Sequence, residues 1–130
     1  MEEIFIVGVG MTRFGKHLDR SVKSLVAEAV GGALSDASAQ QSDVGAAVFS
    51  NITQGLMEGQ HAIRGQIALR NMGFSGIPIL NVENACAGGA TALHQAVMML
   101  RAGVTDVALG VGAVKMYDED KLKRSGVFVG

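Results

Sequence analysis

The chain has no tryptophan, one proline, one tyrosine and one cysteine among its 130 residues, and aromatic residues make up only 5% of it. A core without large rings must be packed from Val, Ile, Leu, Ala and Met, a mixture that suits helices laid against a buried sheet. One cysteine excludes an internal disulfide, so Cys86 is a buried thiol, an intermolecular partner or a reactive group. An excess of charge is missing too: 11 basic residues face 12 acidic ones, for a net charge of -1. No basic field is available to attract nucleic acid or a membrane surface. No apolar run approaches the ~18 residues that cross a bilayer, and Met1-Glu2-Glu3 places acids where a secretion signal carries basic residues. A soluble, cytoplasmic protein is expected. One cysteine and three scattered histidines, His17, His61 and His94, have no metal-ligand spacing, so no metal site is expected.

What is present is an alternation of strands and helices in a chain of single-domain length. Ile4-Phe5-Ile6-Val7 is a short β-branched run closed by Gly8-Val9-Gly10 and predicts a central strand. From Ser21 to about Ala37, Val22, Leu25, Val26, Ala29, Val30, Ala33 and Leu34 recur at three and four, which predicts a helix capped by Asp19 or Ser21. Gly31 and Gly32 each weaken that helix by roughly 1 kcal/mol relative to Ala, which points to another backbone packed against it. Ala46–Ser50 reads as a second strand, Asn51–Gly59 as a loop, and residues from about His61 to Asn71 as a helix stopped by Gly73. Pro78–Val82 reads as a third strand, with its proline in the first position, where no ladder bond is lost.

A helix then runs to Arg101, apolar on nearly every face and therefore expected to lie between layers. Asp106–Val111 is a fourth strand, and Lys115–Ser125 is charged and expected to be exposed. The alternation implies parallel strands joined by crossovers. Gly126–Gly130, apolar and uncapped, reads as an interruption of a longer polypeptide.

Cys86 falls where a buried strand ends and a buried helix begins, in the partial positive field of the helix amino terminus, a position that favours a thiolate. Gly88 and Gly89 remove side chains from the first turn, so that a ligand or a partner backbone could come close to the sulfur. The competing reading makes Cys86 a small buried hydrophobe. His94 lies eight residues further on, about 12 Å along a helix, and is not its local partner base. Gly8-Val9-Gly10 fails as a dinucleotide fingerprint, because Arg13 stands where the third glycine belongs. Arg13, Lys16 and Arg64 are candidates for phosphate contacts, but isolated basic residues usually form a solvated face.

Asn84-Ala85-Cys86-Ala87-Gly88-Gly89-Ala90-Thr91-Ala92-Leu93 resembles the nucleophile motif of the thiolase superfamily, with Gly89 where the usual form has Ser. The opening Val7-Gly8-Val9-Gly10-Met11-Thr12-Arg13-Phe14-Gly15-Lys16 resembles the start of thiolases of the sterol-carrier-protein type, as do Gln54-Gly55 and Gly59-Gln60-His61. The resemblance implies an α/β/α/β/α layered sandwich of two similar halves, of which residues 1–130 would supply the amino-terminal one, with a largely parallel sheet and the cysteine helix buried in the middle layer. It implies acyl-CoA and CoA as substrate and product, no bound cofactor, and Cys86 as the nucleophile, its backbone N–H an oxyanion donor. Most remaining catalytic groups would come from the carboxy-terminal half. It further implies a homodimer with the third strand near the two-fold axis and, in some relatives, a partner subunit with a zinc ribbon and an oligonucleotide-binding-like fold. A ketoacyl-carrier-protein synthase-like condensing enzyme and a noncatalytic subunit of a thiolase complex are the alternatives.

Overall fold

The structure is a computed structural model that describes residues 2–127; residues 128–130 of the apolar closing run lie outside the described part. Three parallel strands form its sheet: β1 (Ala46–Ser50), β2 (Ile79–Val82) and β3 (Ala108–Gly112), in the order β2-β1-β3. Every residue of β1 is buried, as a central strand with helices on both faces requires. Its alternation divides the core. Ala47 and Phe49 join Val22, Val26 and Val30 of α1 (Val22–Asp36) and Ala68 and Leu69 of α3 (Arg64–Arg70), while Val48 packs with Ala92 and Ala96 of α4 (Gly88–Arg101) on the opposite face. Parallel pairing with helices on both faces is the α/β layering expected from the sequence.

Helix α1 is capped by Ser21, whose Oγ accepts from the Ser24 N–H at 3.1 Å. The short helix α2 (Gln54–Glu58) replaces the predicted loop over Asn51–Gly59. Its polar, glycine-containing sequence carries little helical signal, and tertiary bonds hold it instead: Thr53 Oγ1 donates to Lys115 O at 2.7 Å and Glu58 Oε1 accepts from Val22 N–H at 2.8 Å. Helix α5 (Lys121–Gly126) lies within the charged stretch, with Asp120 accepting from Leu122 N–H at its start.

The strand predicted over Ile4–Val7 is absent among the described residues. The run has no regular structure and is largely exposed, with Phe5, Ile6 and Val7 each roughly 70% accessible, and no ladder bond joins it to the sheet. It crosses α1 instead. Val9 N–H donates to the Asp36 carboxylate at 2.9 Å, and a side chain on Gly10 would strike the backbone of Ala29 and Ala33. The close neighbour expected near Gly31 and Gly32 is therefore the Gly10 backbone, and it meets Gly32 and not Gly31. Between this run and the outer edge of β3 lies a cavity of about 340 Å³, floored by Leu93, Ala96, Val97 and Leu100 of α4. The cavity separates Ile4–Val7 from the free edge of β3, so the run's β-branched composition alone does not make it a strand.

Helix α4 is likewise less enclosed than its composition predicts. Ala92 and Ala96 are fully or nearly buried against the sheet, while Leu93 and Met98 are 48% and 46% exposed. Its apolar outer face has no covering layer among the described residues.

Candidate functional site

The three strands end in a row, with Val82 and Gly112 both in register with Ser50. The amino terminus of α4 sits on that row. A side chain on Gly88 would collide with Ser50 Oγ, and one on Gly112 would come within 3.0 Å of Gly89 Cα. Gly88 is thus small for an internal reason, whereas a side chain on Gly89 would meet only open space. Polar groups cluster at the same end, as expected at the carboxyl ends of parallel strands, where open α/β sheets form their crevices.

Cys86 lies in a 3-10 turn, Ala85–Ala87, that leads directly into α4. Its thiol is free and exposed, so nothing among the described residues buries it. Two features shape the turn. Ala85 has φ 45°, a left-handed conformation that costs a non-glycine residue of order 1–3 kcal/mol and persists only where its surroundings hold it. The Glu83 carboxylate holds it here, accepting from Ala85 N–H at 2.6 Å, while Ala87 N–H closes the turn on Asn84 O at 2.9 Å. Asn84 Nδ2 also donates to Thr91 Oγ1 at 3.0 Å, fastening the turn to the next turn of α4. The Cys86 N–H has no acceptor among the described residues and remains available to a ligand.

None of the other candidates hydrogen-bonds to the thiol among the described residues. His94 is exposed on α4, His17 Nε2 lies 2.7 Å from Arg13 O, and the His61 ring occupies the space a side chain on Gly55 would need. Arg64 turns inward, donating to Gln60 O, Asn51 O and Asn51 Oδ1, and Lys16 lies 4.6 Å from the centre of the Tyr117 ring. Among the described residues, no three His, Cys, Asp or Glu side chains are grouped as a metal would require, and no helix is long and apolar enough to cross a membrane. No local pattern marks Ser50, Asn51 or Glu83 as parts of the site. The only available signal was the placement of polar residues immediately after strand-forming runs.

A parallel α/β layer carrying an exposed thiol at the strand ends, on a strained turn into a half-covered helix, defines an open α/β fold with a candidate site at the carboxyl ends of its strands. The sequence relationship is more specific: residues 4–129 match the family model described as thiolase, N-terminal domain, and the chain belongs to that family. An acetyl-CoA acetyltransferase of Methanocaldococcus jannaschii is 39% identical over 118 residues, 91% of this chain and 30% of its own. Human sterol carrier protein 2 is 38% identical over 89% of this chain and 21% of its own, and the benzoylsuccinyl-CoA thiolase subunit BbsB of Thauera aromatica is 35% identical over 85% and 27%. The chain thus spans less than a third of the length of these relatives. Among solved structures, 3-oxoacyl-[acyl-carrier-protein] synthase III of Aquifex aeolicus superposes with a TM-score of 0.66 over 81% of this chain and 35% of that one, at 15% identity. The Ltp2-ChsH2(DUF35) aldolase superposes at 0.60 over 95% and 32%, at 24% identity. At these identities the two structures bear on the fold alone.

Proposed function

We propose that this chain is the nucleophile-bearing part of an acyl-CoA C-acyltransferase, in which Cys86 Sγ carries the acyl group. In thiolysis, Sγ adds to the 3-oxo carbon of a 3-oxoacyl-CoA. The C2–C3 bond then breaks, its electron pair leaves as the enolate of acetyl-CoA, and a proton quenches that enolate. The acyl group stays on Cys86 as a thioester until the thiolate of a second CoA displaces it and frees Sγ. The reverse sequence is a Claisen condensation. Dividing the transfer around a covalent intermediate replaces one hard step by two easier ones.

The observation that carries this reading is the exposed Cys86 at the strained entry to α4, within a chain that matches the thiolase amino-terminal family. The free Cys86 N–H supports a role as oxyanion donor, since a donor fixed in place before the reaction stabilises charge that develops in it. No histidine or carboxylate hydrogen-bonds to the Cys86 thiol among the described residues, which supports a reading in which the base and the second acid come from another part of the assembly. A carboxy-terminal half, a second copy of the chain, and a partner subunit of the kind suggested by the aldolase complex are the proposed sources, in a cytoplasmic setting. A ketosynthase-like condensation is the second reading. The ketosynthase likeness extends to fold only, while the named sequence relatives include acetyl-CoA acetyltransferases.

The test is intact-mass spectrometry of the native protein, with its associated chains, after exposure to acetyl-CoA. Wild type should gain one acetyl group and the Cys86→Ala variant none. A folded wild type that gains nothing from short, branched or aromatic acyl-CoA would move the noncatalytic-subunit reading ahead.

A further inference from the structure

Asn51 is 3% exposed and directly follows the last residue of β1. Its side chain joins three segments. Oδ1 accepts from Gln54 N–H at 2.8 Å and from Arg64 Nη1 at 3.3 Å, while Nδ2 donates to Ala113 O at 2.6 Å. Two donors on one side determine which end of the amide is oxygen, and the opposite end must then face Ala113. Arg64 Nη1 also holds the Asn51 carbonyl at 3.2 Å, so the residue is fixed through both backbone and side chain. On the same line Ala113 N–H donates to Ser50 O at 3.0 Å. The Asn51 amide therefore continues the β1–β3 pairing one step beyond the sheet, with a side chain in place of a backbone donor.

This step fixes the separation of the two residues on which the cysteine helix rests. Ser50 lies beneath Gly88 and its register partner Gly112 lies beneath Gly89, so a change in the β1–β3 spacing at this end would tilt the first turn of α4. Cys86 stands two residues before that seat. We propose that Asn51 is a positioning residue for Cys86, locking the ends of β1 and β3 at the spacing that seats the first turn of α4; this rests on the reading of Cys86 as the nucleophile.

The experiment follows the rate of acetyl transfer from acetyl-CoA to Cys86 by intact mass, at several acetyl-CoA concentrations, in the native assembly. Asn51→Asp keeps the shape and the Oδ1 acceptor but sets a carboxylate oxygen against Ala113 O. The control is Thr53→Val, which removes an equally buried bond to the same segment, Thr53 Oγ1 to Lys115 O at 2.7 Å, away from the seat. A displacement of about 1 Å at a nucleophile can lower a rate by about a hundredfold. Asn51→Asp should therefore slow acetyl transfer by roughly that factor, with the half-saturating acetyl-CoA concentration within about threefold of wild type. Thr53→Val should lower the melting temperature and leave the rate within about threefold. Should Asn51→Asp fail to fold, Arg64→Lys, which loosens the hold on Asn51 and keeps its amide, is read by the same split. The proposal is overturned if a folded variant of the clamp transfers acetyl at the wild-type rate, or if Thr53→Val slows it equally. Absence of transfer in wild type would instead defeat the reading of Cys86 and remove the basis of the proposal with it, a result distinct from an active wild type indifferent to residue 51.

Discussion

At the scale of single residues, the geometry around Cys86 depends on side chains that are small or missing. Gly88 is buried, and Ser50 Oγ occupies the space a Cβ there would need. Gly88→Ala should therefore destabilise the fold by about 1–3 kcal/mol, the usual penalty for overpacking. Ser50→Ala in that background should restore part of the loss, because removing Oγ leaves only the Ser50 Cβ at 3.2 Å from the new methyl. Urea denaturation of the two single variants and the double variant measures this coupling, and additive effects would place the strain elsewhere. The placement of Cys86, Gly88 and Gly89 at the start of α4 was legible in the sequence, since a lone cysteine between a strand and a glycine-rich helix start is conspicuous. Ser50 and Asn51 were not, because their importance arises from a contact between residues 38 positions apart in one case and 62 in the other, and no local pattern encodes it.

At the scale of elements, regular structure follows hydrophobic periodicity where the packing partners lie within the chain. The runs behind β1, β2 and β3 and the three-four stripe of α1 became the predicted elements, shifted by a residue or two at their ends. Helix α2 was missed because it is held from outside, by bonds of Thr53 to Lys115 O and of Glu58 to Val22 N–H, and not by its own propensities. Phe49 is the test of the layered core. It is 1% exposed in β1 and packs among residues of α1 and α3. Phe49→Ala should cost about 3–5 kcal/mol, the range for deleting a buried ring, and thermal or chemical melts would measure it. A loss below about 1 kcal/mol would mean that α1 and α3 collapse onto the strand more readily than this packing implies.

At the scale of the whole molecule, the described residues form a layer with two open boundaries: the outer face of α4, with Leu93 and Met98, and the flank carrying Phe5, Ile6, Val7, Val9 and Met11. Contiguous apolar surface of this kind rarely stays exposed on a soluble monomer, and an unpaired strand edge is a template for association. The 130-residue chain by itself should therefore associate as its concentration rises and should turn over no acyl-CoA; multi-angle light scattering and a thiolysis assay would check both. A monodisperse monomer would mean that these faces are tolerated in water. The strand predicted at Ile4–Val7 failed at this scale for the same reason, since its composition suits a sheet whose neighbouring position is empty here. The cleft beside β3 also has a kinetic meaning. Backbone amides of residues 4–7 have no ladder to open before they meet solvent deuterium, whereas those of β1 are locked between two strands. Whatever fills the cleft must slow the first set and leave the second unchanged, so the opening segment is a built-in reporter of its occupancy.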